Sequence, residues 1–123
     1  MSHHAQRLGQ ASESIAVAYL KRHGYRILER NYRTPYGEVD IVATENGRIV
    51  FVEVKARRSR RFGDPRWAVS IQKQRHLSKA ALNYLKTKAG AGARARFDVI
   101  AIEYLGDFPE VKLIKNAFDL AYR

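Results

Sequence analysis

Glu53 and Lys55 stand two residues apart in the run Val52-Glu53-Val54-Lys55, and Glu38 and Asp40 stand two apart in Gly37-Glu38-Val39-Asp40-Ile41-Val42. Both runs are otherwise apolar and strand-like, and side chains at i and i+2 of a strand point to the same face. A strand of Phe51, Val52 and Val54 has a packing reason to hold valine and none to hold a glutamate and a lysine. If the two strands pair as a hairpin, three carboxylates and an ammonium meet in a small volume. Like charges gathered in this way raise one another's pKa unless a cation sits among them. The spacing therefore points to a metal site. Asp40 and Glu53 would hold Mg2+ or Mn2+, hard cations that prefer carboxylate oxygens and keep several waters. The Val54 backbone carbonyl, between Glu53 and Lys55, would add another oxygen. The chemistry implied is hydrolysis of a phosphodiester, with a polarised phosphoryl oxygen and a hydroxide-like nucleophile. Lys55 would orient that water or neutralise charge on the phosphorane.

Several elements must hold these residues in place. From Gln6 to His23, Leu8, Ala11, Ile15, Ala18 and Tyr19 recur at three- and four-residue steps and predict a helix with a buried stripe. Lys21, Arg22 and His23 in its last turn, then Gly24, mark its end. Residues 1 to 6 read as a frayed terminus. Glu13 lies in the small-residue run Gly9 to Ser14, where a helix can approach a sheet closely, and from there it would complete the metal shell. On helix grounds alone it reads as a solvated surface glutamate. Strands are predicted over Tyr25–Tyr32, Glu38–Thr44 and Arg48–Ala56, separated by the turn signals Thr34-Pro35-Tyr36-Gly37 and Asn46-Gly47. The run Ile49 to Val52 marks the third strand as central and buried on both faces.

Directly after the third strand come Arg57, Arg58, Arg60 and Arg61, four arginines in five residues. The planar guanidinium fork suits phosphate oxygens, so this loop is the expected nucleic-acid contact. Ser70 is a predicted N-cap for a second helix, Ile71 to Lys86 or Lys88, with Leu77, Ala80, Ala81, Tyr84 and Leu85 as its apolar stripe. Lys73 sits in its first turn, where the helix dipole disfavours a cation. It is either an ordinary exposed lysine or one that reaches toward phosphate or carboxylates. A fourth strand is predicted over Arg96–Tyr104, in which Asp98 reads as a structural partner for an arginine. A short edge strand follows over Glu110–Ile114, and Phe118 and Leu120 close the core.

Length and charge bound the function. The chain has 123 residues, enough for a single domain spanning 1–123. It has no cysteine, which excludes disulfides and thiolate metal sites and suits a reducing cytoplasm. No apolar run approaches a membrane span, so a cytoplasmic protein without a membrane partner is expected. Lys and Arg number 23 against 12 Asp and Glu, a net charge of +11. That excess favours a polyanionic partner, nucleic acid and DNA in particular.

The order of these residues resembles the PD-(D/E)XK nuclease superfamily, and within it the archaeal Holliday junction resolvases. A helical Glu13 is followed by Gly37-x-x-Asp40, then by Glu53-x-Lys55. From Gly9 and Glu13, Gly24 with Asn31, Gly37 to Asp40, Val50 to Lys55, Arg57-Arg58, Lys73 and Leu77, Arg96 to Val99 and Asn116 to Phe118, the chain is identified as a member of the YraN family of endonuclease-like bacterial proteins. The resemblance implies an α/β, restriction-endonuclease-like α-β-β-β-α-β core with a mixed sheet flanked by helices. It implies that Glu13, Asp40, Glu53 and Lys55 occupy catalytic positions, while Glu38, at a position that is not a standard ligand in resolvases, serves either the shell of the site or the strand. Val39 stands where the superfamily's motif has proline. By analogy with resolvases, which cut paired strands as symmetric dimers, it also implies a homodimer. The reading that follows is a metal-dependent DNA endonuclease acting on branched or repair-intermediate DNA. Two rivals stay open: a nucleic-acid-binding protein that keeps the fold without turnover, and a basic adaptor for an acidic protein.

Overall fold

Three apolar-alternating runs joined by tight turns fold as an antiparallel meander. The computed structural model describes residues 3–58, 69–90 and 92–119. It places helix α1 over His3–Arg22, then strands β1 (Arg26–Thr34), β2 (Gly37–Glu45) and β3 (Arg48–Arg57). Helix α2 (Ile71–Tyr84) continues into a wider π-turn over Leu85–Ala89, and β4 (Ala95–Glu103) and β5 (Glu110–Phe118) complete the chain. The sheet order is β1-β2-β3-β4-β5. Only the β3–β4 pair is parallel, because the crossover through α2 returns the chain in the same direction. The expected α-β-β-β-α-β core is present, with β5 added as an antiparallel edge. Arg60, Arg61 and Leu120, and the first two residues of the expected frayed terminus, lie outside the described residues.

Local signals fix the boundaries. Gly24 has φ +87°, Tyr25 N–H donates to Leu20 C=O at 2.9 Å, and Gly24 N–H to Lys21 C=O at 3.3 Å. This paired closure needs a left-handed residue that glycine adopts freely. Asn46 and Gly47 both have positive φ, 51° and 76°, as a two-residue hairpin requires. Ser70 caps α2 by accepting the Lys73 N–H at 3.1 Å. α1 begins at His3, earlier than Gln6, because the polar opening turn offers no apolar spacing to read.

One helix covers each face. Ala16, Leu20, Tyr25, Ile41, Ala43, Val50, Val52, Ile100 and Ile102 are buried in the cluster shared with α1. Val42, Phe51, Val99, Leu77, Ala81 and Tyr84 are buried in the cluster shared with α2. Burying Leu20 or Phe51 contributes roughly 1.5–3 kcal/mol each. β3 supplies Val50 and Val52 to one cluster and Phe51 to the other, which makes it the central strand expected of it. Two expectations for α1 are corrected. Ala11 and Ala18 are exposed, and the buried line is Ser12, Ala16 and Leu20. The helix turns this face inward because Leu20 and Val17 bury more apolar area than two alanines. The close approach to the sheet is made at Ser12, whose hydroxyl bonds the Tyr104 hydroxyl at 2.8 Å, while Gly9 faces open space.

Candidate active site

β2 and β3 part where their charged residues begin. Their ladder stops at Ile41 opposite Val52, and the same register continued would set Asp40 opposite Glu53. In place of a ladder bond, Val54 N–H donates to Asp40 Oδ2 at 2.8 Å. The Val54 carbonyl leaves the strand on the same side as its N–H, toward the same gap. Asp40 also shares a side-chain hydrogen bond with Glu53. Burial first, then that hydrogen bond and the Glu53 charge, push the Asp40 carboxyl up to about 8. Two carboxyls this close in a half-dry site make it costly for both to be charged, a cost that a cation would lower.

Glu53 is 4% exposed. Its Oε2 is buried and accepts no hydrogen bond among the described residues. Lys73 Nζ lies 3.4 Å from that oxygen, an ion-pair contact across the sheet–helix boundary. The Lys73 ammonium therefore reaches a carboxylate, one of the two outcomes its place in the first turn left open. Lys55 follows Glu53 by two residues on the same face and makes no ion pair with a described residue.

Glu13 reaches the other side of the gap. Arg30 Nε and Asn31 Nδ2 donate to its Oε1 at 2.9 and 3.1 Å. Asn31 has φ +54°, a conformation asparagine tolerates better than most residues. Nothing in the sequence spacing links Arg30 and Asn31 of β1 to Glu13, so their orienting contacts emerge only in the fold. An open pocket of about 590 Å3 collects Gly9, Glu13, Glu38, Asp40 and Val54 along its wall. Glu38 itself pairs with Arg33 at 3.1 Å. The hairpin therefore unites two carboxylates and not three. Among the described residues, no group of three His, Cys, Asp or Glu side chains is arranged to hold a metal.

The arginines divide. Arg57 was expected to face phosphate, but it is 8% exposed and its Nη1 lies 3.9 Å from Glu103 Oε2. β3 is still paired with β4 at this point, Arg57 beside Glu103, so the two side chains stand next to each other on one face of the sheet. Arg58 is exposed.

A two-carboxylate pair fits a hard divalent cation in its donor set, with Val54 C=O as a third oxygen and water for the rest. The buried, unbonded Glu53 oxygen is the observation that favours this fit. The fold is an α/β one, a five-stranded mixed sheet flanked by helices, consistent with an endonuclease-like core. The chain belongs to the uncharacterised protein family UPF0102, whose model matches residues 12–102. A UPF0102 protein of Geobacter metallireducens is 53% identical over 99% of this chain and all of its own length. One from Syntrophus aciditrophicus is 50% identical over 94% of this chain and 91% of its own. Among solved structures, Pyrococcus furiosus SfsA in complex with Ca2+ aligns with 90% of this chain at 17% identity and a TM-score of 0.37. This chain spans 63% of that protein's length. Among the described residues, no helix is long and apolar enough to cross a membrane.

Proposed function

We propose that this protein is a metal-dependent DNA endonuclease of the PD-(D/E)XK kind, using Mg2+ or Mn2+ to hydrolyse a phosphodiester in branched or repair-intermediate DNA. The observation that carries the reading is the Asp40–Glu53 pair with its buried, unbonded Glu53 oxygen. That one oxygen has lost its hydration without gaining a hydrogen bond, its charge is faced by Lys73 Nζ at 3.4 Å, and a divalent cation would compensate it further. Asp40, Glu53 and the Val54 carbonyl would hold the ion. When bound, it supplies Lewis acidity toward a phosphoryl oxygen and lowers the pKa of a water.

The chain's own residues do the rest. Lys55 presents an ammonium to charge that builds on the scissile phosphate, in a site where burial strengthens the interaction. Glu13, fixed by Arg30 and Asn31, adds a carboxylate to the pocket wall on the α1 side. The net charge of +11 supports a polyanion as the partner, with a cytoplasmic location and a homodimer as parts of the same proposal.

The test is a panel of single-stranded, duplex, flap and four-way DNA incubated with Mg2+ and Mn2+, beside Asp40→Asn and Lys55→Ala. Cleavage that needs the ion and disappears in both variants supports the reading. Equal trace activity in all three proteins ends it. A second reading, binding without turnover, is favoured by the Lys73 ammonium 3.4 Å from Glu53, a cation already built into the site. It expects salt-sensitive binding and no cleavage of any member of the panel.

A further inference from the structure

A second concave site stands on the α2 side of the sheet, formed by the β1–β2 turn and residues the acidic pair does not use. The turn runs close against α2: a Cβ on Gly37, whose φ is +154°, would lie 3.3 Å from His76 Cβ. That approach sets Tyr36 beside the helix with 52% of its surface exposed. Tyr36, Lys79, Leu82, Asn83 and Lys86 line an open pocket of about 360 Å3. Lys79 Nζ lies 6.0 Å from the centroid of the Tyr36 ring. Lys73, Lys88, Lys112 and Lys115 each sit against a carboxylate. Lys79 and Lys86 make no ion pair with any described residue. Tyr32 donates to Asn83 Oδ1 at 2.5 Å, which fixes that amide and leaves its nitrogen as the remaining donor.

We propose that this pocket binds an unpaired nucleotide of a single strand, with the base stacked on Tyr36 and the flanking phosphates on Lys79 and Lys86. An exposed aromatic face between cationic groups is the arrangement by which proteins hold single strands. A duplex keeps its base faces stacked inside and offers none to the ring. An acidic peptide would use the ammoniums and leave the tyrosine face idle. Tyr36, in the β1–β2 turn, precedes Asp40 of β2 by four residues, roughly 13 Å at strand spacing. The assignment rests on the proposed function only for the class of partner.

The experiment measures anisotropy of a labelled oligothymidylate and of a blunt duplex of the same length, with EDTA present so that no cleavage occurs. Tyr36→Ala is expected to weaken single-strand binding about tenfold, with duplex binding changed less than about twofold. Tyr36→Phe keeps the ring and is expected to bind as wild type. Lys79→Gln with Lys86→Gln is expected to lower single-strand affinity and to flatten its salt dependence. Single-strand binding by Tyr36→Ala equal to wild type overturns the site, and so does an equal loss on both substrates. Because the readout needs no metal, the two proposals separate. Tyr36-dependent binding without cleavage keeps this site and removes the nuclease. Cleavage with binding indifferent to Tyr36 does the reverse.

Discussion

Two charged clusters share this sheet and differ in how far their charges are answered. One gathers around Asp98, which is fully buried yet accepts from Tyr25 Oη at 2.8 Å, Arg96 Nε at 2.9 Å and Asn116 N–H at 3.0 Å. Arg96 and Lys115 then hold Glu45. Burial alone would raise the Glu45 carboxyl, and the hydrogen bonds from Lys115 and Arg96 outweigh it and hold it below the usual range. The other cluster is Asp40 and Glu53, where the carboxyl of Asp40 is pushed up and a Glu53 oxygen has no hydrogen bond. The first cluster ties the α1–β1 connection, β2, β4 and β5 together and is a stability device. The second is under-compensated, which costs stability and leaves capacity for a cation. The same residue types in one sheet serve different ends, and satisfaction of hydrogen bonds separates them.

That contrast can be broken by substitution. Glu53→Gln or Asp40→Asn is expected to cost about a thousandfold in metal-dependent cleavage while leaving the urea midpoint unchanged or raised. A protein that unfolds on either change would place the acidic pair in the structural class. Arg96→Met should behave oppositely, losing roughly 3–5 kcal/mol in urea unfolding because Asp98 and Glu45 are left buried without their guanidinium. Its cleavage per folded molecule should match wild type. Tyr25→Phe removes one donor from Asp98 and is expected to cost about 1–3 kcal/mol by the same measurement.

The smallest effect is in pH dependence, where the two clusters pull in opposite directions. Asp40 has a folded pKa above its ordinary value of 3.8, so the native state holds a proton that the unfolded chain releases. Its contribution to stability is present at low pH and is lost as pH rises through about 8. Glu45 has a lowered pKa, so its contribution is present above the ordinary value and lost as pH falls through the lowered one. Asp40→Asn should therefore flatten the decline of the unfolding free energy between pH 6 and pH 8, by about 1 kcal/mol per pH unit or less, as read from urea unfolding at each pH. An unchanged slope would detach Asp40 from the shared proton.

Much of the fold was legible because it rests on local chemistry. Asn46-Gly47 set the hairpin, Gly24 ended α1 and Ser70 began α2, each through a backbone need that only a few residue types meet. The structural role of Asp98 was legible for a similar reason, since a lone acid in an apolar strand needs a cationic partner. The stripe of α1 was misread at Ala11 and Ala18 because alanine carries too little apolar area to mark a face. Arg57 was misread because its neighbours in sequence are basic and solvent-facing by type, while its partner Glu103 is met only across β4.

By itself the sequence determined which residues could do chemistry and on which strands they stand, because a period of two fixes the shared face of Glu53 and Lys55. It could not determine which acids meet. The tertiary structure decided that, by ending the β2–β3 ladder one residue before Asp40 and sending its carboxylate to the Val54 N–H. It also turned Glu38 to Arg33, drew Glu13 to Arg30 and Asn31, and brought Lys73 from a different element to Glu53. Apart from Arg33–Glu38, which spans a single turn, those contacts join residues far apart in the chain, and their free energy depends on burial and distance, which spacing along a sequence does not contain.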